Sequence, residues 1–119
     1  MKLLAKFTLF GEVPSKKNQW HIGNGRMYMA KGVHDWNTSI GWQIRAQLRG
    51  LKVPSGPLRI EMDFFIKRDK DLDNLCATVL DGLQKMSVLQ NDRIVFQVEA
   101  SKTKVKKEPH VDIRLHLVV

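Results

Sequence analysis

The chain has 119 residues, of which 43% are hydrophobic and 27% are charged, as in an ordinary globular domain. Lysine and arginine number 20 against 12 aspartates and glutamates, and the formal net charge of +8 favours an anionic partner such as nucleic acid. No apolar stretch approaches the roughly 20 residues that a membrane-spanning helix needs, and the single cysteine, Cys76, excludes an internal disulfide framework. We therefore expect one domain over residues 1–119, in the reducing cytoplasm and with no membrane partner.

The first half of the chain predicts a strand, a basic loop and a helix. Apolar residues alternate within residues 2–12, the pattern of a strand. Turn-forming residues and cations follow in VPSKKNQWHIGNGRMYM, where GNG predicts a hairpin tip leading into residues 26–29. Apolar residues then recur at helical spacing over residues 31–49, and Gly50 is a natural helix stop.

The second half predicts a strand, a helix and two further strands. Residues 58–67 show the clearest alternation, and residues 72–86 return to helical spacing. Residues 94–100 and 111–117 alternate again, and the basic turn KTKVKKEP between them suggests an antiparallel hairpin. This order predicts an α+β fold, a small mixed β-sheet of about four strands with two helices packed on one face.

An acidic cluster stands out within the basic segment KRDKDLDNL, residues 67–75. Asp71 and Asp73 lie where a predicted strand ends and a helix begins. If the backbone there is extended, both carboxylates point to the same side and repel each other unless a cation or a proton lies between them. Asp92 precedes the next strand, and it reaches the same edge only if the intervening turn brings it back. Three such carboxylates suit Mg²⁺, for which Mn²⁺ can substitute.

Helix capping is the alternative interpretation of the same residues. Aspartates near a helix N-terminus satisfy its free N–H groups and interact favourably with its dipole, and Asp92 has the position of an ordinary turn residue after Asn91. The residue pattern by itself leaves both interpretations open.

Several basic residues lie next to these aspartates in the sequence, and others lie in the long first loop. A cluster of this kind predicts contacts with DNA phosphates, which give sequence-independent affinity and a strong dependence on salt. For any single one of them a solvated surface position is the alternative. The candidate DNA-binding residues are Lys16, Lys17, Arg26, Lys67, Arg68 and Lys70.

The ordered motifs of the chain resemble those of the RusA family of Holliday-junction resolvases, which are largely encoded by phages and prophages. DxDN is present as Asp71, Asp73 and Asn74, and Asp81-Gly82-Leu83 follows in the next helix. The later acidic pair corresponds to Asn91-Asp92, and the early loop carries Pro14, Ser15, Lys17 and Asn18.

This resemblance implies a homodimeric, Mg²⁺-dependent endonuclease that cuts four-way DNA junctions symmetrically in recombination and repair. It implies that Asp71, Asp73 and Asp92 are the catalytic, metal-binding carboxylates, with Asn74 and Asn91 in support. Two-fold symmetry suits a junction, because two equivalent sites can nick opposing strands.

The chain departs from the family pattern at two positions. Ala77 stands where the family usually has a lysine, and Asn91 replaces the first acid of the later pair. Lys70 and Lys85 are candidates to replace the missing ammonium. Both departures favour the alternative hypothesis, a non-catalytic basic protein that binds DNA junctions and retains the fold.

Overall fold

The elements expected from the sequence are all present in the computed structural model, which describes residues 1–14, 20–23, 26–29 and 31–118. Their bounds lie within two residues of the predicted ones, except that the strand predicted over residues 94–100 continues four residues beyond its predicted end, to Lys104. In chain order they are β1 (Lys2–Phe10), β2 (Trp20–Gly23), β3 (Arg26–Met29), α1 (Lys31–Leu48), β4 (Leu58–Ile66), α2 (Leu72–Lys85), β5 (Val95–Lys104) and β6 (His110–Leu117).

Four of the strands form one mixed sheet in the order β1-β6-β4-β5. β6 pairs antiparallel with both β1 and β4, whereas β4 and β5 are parallel and are joined through α2. The predicted α+β fold, a small mixed sheet of four strands with two helices, is confirmed. The parallel pairing decides where the candidate residues lie, because β4 and β5 both begin at one end of the sheet and both end at the other.

The predicted antiparallel hairpin between the last two strands is wrong. β6 lies between β1 and β4, so the basic connection after β5 passes the end of β4, where the Val105 N–H donates to the Ile66 carbonyl at 2.8 Å. Burial explains the order of the strands. Val111, Ile113 and Leu115 of β6 are fully buried, as a central strand requires, whereas β5 is exposed along most of its length.

Both helices cover the same face of the sheet. Alternate residues of β4, including Ile60, Met62 and Phe64, are fully buried in one cluster with Trp36 and Ile40 of α1 and Leu83 of α2. Trp36 belongs to this core, as its helical spacing predicts, whereas Trp42 is exposed. The opposite face of the sheet carries a network of charged side chains centred on Glu61 and Arg114.

β2 and β3 form a separate two-stranded antiparallel sheet, which confirms the predicted hairpin before residues 26–29. Arg26 begins β3 and pairs with Gly23. Lys16 and Lys17 lie outside the described residues, so their predicted role stays a prediction. Within the described ranges, no helix is long and apolar enough to span a membrane.

Candidate functional site

The segment that links β4 to α2, residues 67–71, carries most of the candidate residues and is called the β4–α2 loop below. Lys67 and Arg68 are exposed at its start, and Lys70 is partly buried. With Glu12 they line an open cleft of about 310 Å³. The structure therefore brings together three of the six predicted phosphate-binding residues next to Asp71.

Glu12, just after β1, holds the β4–α2 loop in place. Its carboxylate accepts hydrogen bonds from the backbone N–H groups of Lys67 at 3.0 Å and Arg68 at 3.3 Å, and from Lys70 Nζ at 2.9 Å. Burial raises the pKa of Glu12, but the hydrogen bonds from Lys70 and the two backbone N–H groups outweigh it and lower the pKa below its ordinary value. Glu12 is therefore ionised at neutral pH.

The end of β5 supports the same loop from the other side. Lys102 Nζ donates to Asp69 Oδ1 at 2.7 Å and to the Lys70 carbonyl at 2.9 Å. The bond and charge of Lys102 lower the pKa of Asp69. The loop is thus tied to β1 by a carboxylate and to β5 by an ammonium group.

Asp71 immediately precedes α2 and Asp73 lies in its first turn, and both are exposed. Asp71 has the N-cap position with an extended backbone, but its side chain makes no capping hydrogen bond to the helix. Its Oδ2 instead lies 3.5 Å from Asn74 Nδ2, while Asp73 Oδ1 accepts from the Asn74 backbone N–H at 2.9 Å. Capping therefore does not explain Asp71, whereas Asp73 does satisfy one N–H group of the first turn.

Asp73 also acts on the neighbouring thiol. Burial, followed by the negative charge of Asp73, raises the pKa of Cys76. The Cys76 thiol is accordingly protonated at neutral pH, which disfavours it as a nucleophile or a metal ligand.

The missing family lysine at Ala77 has one nearby candidate replacement. Lys70 lies in the β4–α2 loop, but its ammonium group is paired with Glu12. Lys85 ends α2, twelve residues after Asp73 and so about 18 Å further along the helix axis. Lys85 is therefore too distant to act beside Asp73 of the same chain.

Asp92 lies at the opposite end of the sheet from Asp71 and Asp73. It begins a short 3₁₀ helix, Asp92–Ile94, and the next residue, Val95, pairs with Leu58 at the start of β4. Ile66, at the end of β4, pairs instead with Lys104. Because β4 has nine residues and spans about 26 Å, a single chain keeps Asp92 away from the other two aspartates.

Asn91, the other departure from the family pattern, has a local structural role. Its side-chain oxygen accepts from the Arg93 backbone N–H at 2.9 Å and so caps the 3₁₀ helix. The carbonyl that a metal would use is thereby already engaged.

The oxygen donors at the start of α2 fit a hard divalent cation. Across residues 1–14 and 32–118, where side chains are described, no group of three or more His, Cys, Asp or Glu side chains is arranged to hold a metal ion. Two exposed carboxylates next to a cationic loop still match the ligands of Mg²⁺, which keeps several waters and takes one or two carboxylates plus substrate phosphate. The residues present therefore fit the implied ion.

Sequence reasoning missed two residues of this site, Glu12 and Lys102. The partners of Glu12 lie 55 to 58 residues away in the chain, and those of Lys102 lie 32 and 33 residues away. Neither residue belongs to a local motif, so only the packing of β1 and β5 beside β4 reveals them.

Comparison with known proteins assigns the chain first to a class, that of DNA-cleaving enzymes. A family model described as "Endodeoxyribonuclease RusA" matches residues 11–116. The chain is also 24% identical over 107 residues to the "Crossover junction endodeoxyribonuclease RusA" of Aquifex aeolicus (strain VF5), covering 87% of this chain and 82% of that protein. The chain therefore belongs to the RusA family of endodeoxyribonucleases, which confirms the resemblance drawn from its motifs.

Proposed function

We propose that the chain is a structure-selective endonuclease that resolves four-way (Holliday) DNA junctions by symmetric phosphodiester hydrolysis during recombination and repair. The observation that carries the proposal is that the β4–α2 loop and the first turn of α2 hold exposed cations and the exposed carboxylates Asp71 and Asp73 together at one end of the sheet. The name of the Aquifex relative, a crossover junction endodeoxyribonuclease, supports the same substrate. Branched DNA is then the partner, and the cytoplasm is the location.

In this proposal each residue of the site has a distinct task. Lys67 and Arg68, whose ammonium and guanidinium groups are exposed, bind the phosphates of one DNA strand. Asp71 and Asp73 hold Mg²⁺, or Mn²⁺ in its place, and Asn74 orients Asp71 through its amide. When bound, the ion supplies an activated water and positive charge for the leaving oxygen.

We further propose that the active form is a homodimer in which Asp92 of a second copy completes the site. The parallel pairing of β4 with β5 separates Asp92 from Asp71 within one chain. A two-fold arrangement that places the opposite ends of two sheets side by side removes this separation at both sites at once. The two equivalent sites would then face opposing strands of the junction.

The alternative is a protein that binds junctions and does not cut them. Asn91 favours it, because its carbonyl caps the 3₁₀ helix rather than pointing to an ion. Ala77 favours it as well, because Lys70, the lysine that precedes Asp71, is paired with Glu12.

Cleavage of a synthetic four-way junction distinguishes the two functions. We expect paired symmetric nicks with Mg²⁺ or Mn²⁺, binding without cutting in Ca²⁺, and a loss of more than about 100-fold in cleavage by Asp73→Asn with binding retained. Full cutting by Asp73→Asn would contradict the assignment of this residue. Tight binding with no nicks by the wild-type protein in any metal would instead establish the non-catalytic alternative.

A mixing experiment tests whether Asp92 acts across two copies. Asp73→Asn and Asp92→Asn are each expected to be inactive, but a mixed dimer of the two variants retains one site with both native aspartates. Co-refolded variants should therefore nick one strand of the junction. Continued inactivity of verified mixed dimers would show that the two aspartates act within one chain.

A further inference from the structure

Three aromatic side chains form a row across the face of the sheet that lies opposite the helices. Phe10 of β1 pairs in register with His110 of β6, and His110 pairs in turn with Phe65 of β4. Leu9 and Phe64, which precede the two phenylalanines, are buried towards the helices, so alternation directs the three rings to the opposite face. The three rings are referred to below as the aromatic row. The row lies at the end of the sheet where β4 leads into the β4–α2 loop.

The aromatic row is a stack with one open end. The ring centroids of Phe65 and His110 lie 4.5 Å apart with 17° between the ring planes, and those of His110 and Phe10 lie 6.0 Å apart at 39°. His110 Nδ1 donates to the Glu108 carbonyl at 2.8 Å, which fixes the central ring. Phe65 and His110 are half-buried, whereas Phe10, on an edge strand, is 60% exposed. Cross-strand packing therefore accounts for two of the rings and leaves most of the third in solvent.

The backbone that carries Phe10 is held from two sides. The side-chain amide of Gln43 in α1 accepts from the Phe10 N–H at 2.6 Å and donates to the Phe10 carbonyl at 3.0 Å. The Gly11 N–H donates to the Pro109 carbonyl at 2.9 Å. A phenylalanine side chain has only two rotatable bonds, so an exposed ring on this backbone loses little conformational freedom when it binds a ligand.

Cations lie on both sides of the aromatic row. Lys67 and Arg68 follow Phe65 closely in the chain, and the connection between β5 and β6 carries Lys106 and Lys107 just before His110; all four cations are exposed. The nearby carboxylates are in part occupied: Glu12 holds the β4–α2 loop, and Asp112 accepts from Thr8 Oγ1 at 2.6 Å, while Glu108 is exposed. A flat apolar ring beside a surplus of cations matches a nucleic-acid strand, whose bases stack on aromatic rings and whose phosphates bind ammonium and guanidinium groups.

We propose that an unpaired nucleobase stacks on the exposed ring of Phe10 and extends the aromatic row by one further ring. The neighbouring phosphates of that strand then reach Lys67 and Arg68 of the β4–α2 loop. Stacking of this kind tolerates any sequence, because every base has a flat face.

This inference deepens the proposed function and rests on it for the source of the base. In a duplex each base is covered by its neighbours, whereas a branch point is where bases leave the stack. The Phe10 ring therefore favours branched DNA over plain duplex without contacting base edges. The affinity of the ring for a single strand does not depend on the proposed function, so it can be measured separately.

Two oligonucleotides with the same number of phosphates test the stacking site without a junction and without cleavage. One is oligothymidylate of about 12 nucleotides, and the other has abasic residues in place of its central nucleotides. Fluorescence anisotropy in Ca²⁺ measures both affinities. We expect the wild-type chain to bind oligothymidylate about 5-fold or more tightly than the abasic strand, which is the contribution of at least one stacked base.

Substitution of Phe10 should remove this preference for bases and leave the phosphate contacts intact. Phe10→Ala should bind the two oligonucleotides equally, with the salt dependence of the wild-type chain. Phe10→Trp should keep the preference, because it keeps a flat ring. Phe96→Ala is the matched control: Phe96 is 72% exposed, but it lies in β5 at the opposite edge and the opposite end of the sheet, so this variant should also keep the preference. Circular dichroism checks that each variant is folded.

Photocrosslinking of the wild-type chain covers the case in which Phe10→Ala fails to fold. An oligonucleotide with 5-iododeoxyuridine at its central position should crosslink to Phe10, as peptide mapping by mass spectrometry reports. Equal binding of the two oligonucleotides by the wild-type chain, a preference retained by Phe10→Ala, or crosslinks confined to residues outside the aromatic row would overturn the stacking site. Cleavage of a four-way junction by the same preparation reports separately on the proposed function: a chain that cuts but shows no preference for bases would overturn this inference alone.

Discussion

Glu12 is the residue whose role depends most on the fold. A carboxylate beside a loop that is proposed to bind DNA would repel phosphate, yet this one accepts three hydrogen bonds that fix the loop. The repulsion weakens DNA binding and the ordering of the loop strengthens it, so a single substitution shows which effect is larger. The ordering of the loop should outweigh the repulsion of phosphate. Hydrogen bonds to charged groups contribute about 1.5–3 kcal/mol, which is more than the interaction of an exposed charge in the presence of salt.

We expect Glu12→Gln to weaken binding to a four-way junction by about 3- to 10-fold, since the amide still accepts from the backbone but no longer holds the Lys70 ammonium as an ion pair. Fluorescence anisotropy at fixed salt measures the affinity. Asp35→Asn, which removes an exposed carboxylate from α1, controls for charge and should bind slightly more tightly. If Glu12→Gln gains more affinity than Asp35→Asn, then Glu12 obstructs the loop and does not order it.

Glu61 makes the stability of the fold depend on acid pH. Hydrogen bonds from Arg114 at 2.8 Å and His116 at 2.9 Å lower the pKa of Glu61 to about 2. The pKa in the folded state thus lies below the unfolded value of about 4.3. The stability that ionised Glu61 contributes is therefore complete above about pH 5 and is lost as the pH falls towards 2.

We expect Glu61→Gln to flatten the fall in unfolding free energy between about pH 5 and pH 2, as measured by denaturant unfolding. Glu108→Gln, which removes an exposed carboxylate from the connection between β5 and β6, is the control. An unchanged slope in the Glu61 variant would mean that other carboxylates govern acid unfolding.

At the scale of elements, the D-G-L part of the family motif has a packing role. A Cβ atom at Gly82 would lie 2.7 Å from Ile40 Cδ1 and 3.1 Å from Trp36 Cζ3, both in the core between α1 and α2. Glycine at this position lets the two helices approach closely. Gly82 therefore supports the site indirectly, by fixing α2 against the rest of the domain.

Gly82→Ala should lower the unfolding free energy by about 1–3 kcal/mol, because overpacking outweighs the gain in helix propensity of up to about 1 kcal/mol. Gly32→Ala is the control, because Gly32 lies in α1 with open space around it. This substitution gains helix propensity without overpacking and should be neutral or stabilising. Thermal or denaturant unfolding measures both variants. Equal stabilisation of the two would show that the helices adjust to the added methyl group.

The helices and strands were predictable because each one has its own local spacing of apolar residues. Alternation in residues 58–67 and helical spacing in residues 72–86 gave β4 and α2 to within one residue. The same local signals gave the acidic start of α2. They gave no sign that Phe96 and Val98 are exposed, because an alternating apolar strand looks the same whether its face is covered by a helix of its own chain or left open.

At the scale of the whole molecule, the pairing of strands was not predictable in the same way. A basic turn between two alternating segments is typical of a hairpin, yet β6 lies between β4 and β1 and does not pair with β5. The pairing of strands depends on which strand lies in the middle of the sheet, with a neighbour at each edge. That position is a property of the assembled sheet. The same long-range pairing decides the candidate site, since the direction of β5 separates Asp92 from Asp71.

The β4–α2–β5 unit, residues 58–104, has a consequence for engineering. This one continuous segment carries Asp71, Asp73 and Asp92, the cations of the β4–α2 loop and the exposed strand β5. The flanking parts β1, α1 and β6 supply the rest of the core, two rings of the aromatic row and, apart from Glu12 just after β1, no other described residue of the candidate functional site. A chimaera that receives only this segment from a relative should acquire that relative's metal and phosphate contacts on an unchanged scaffold.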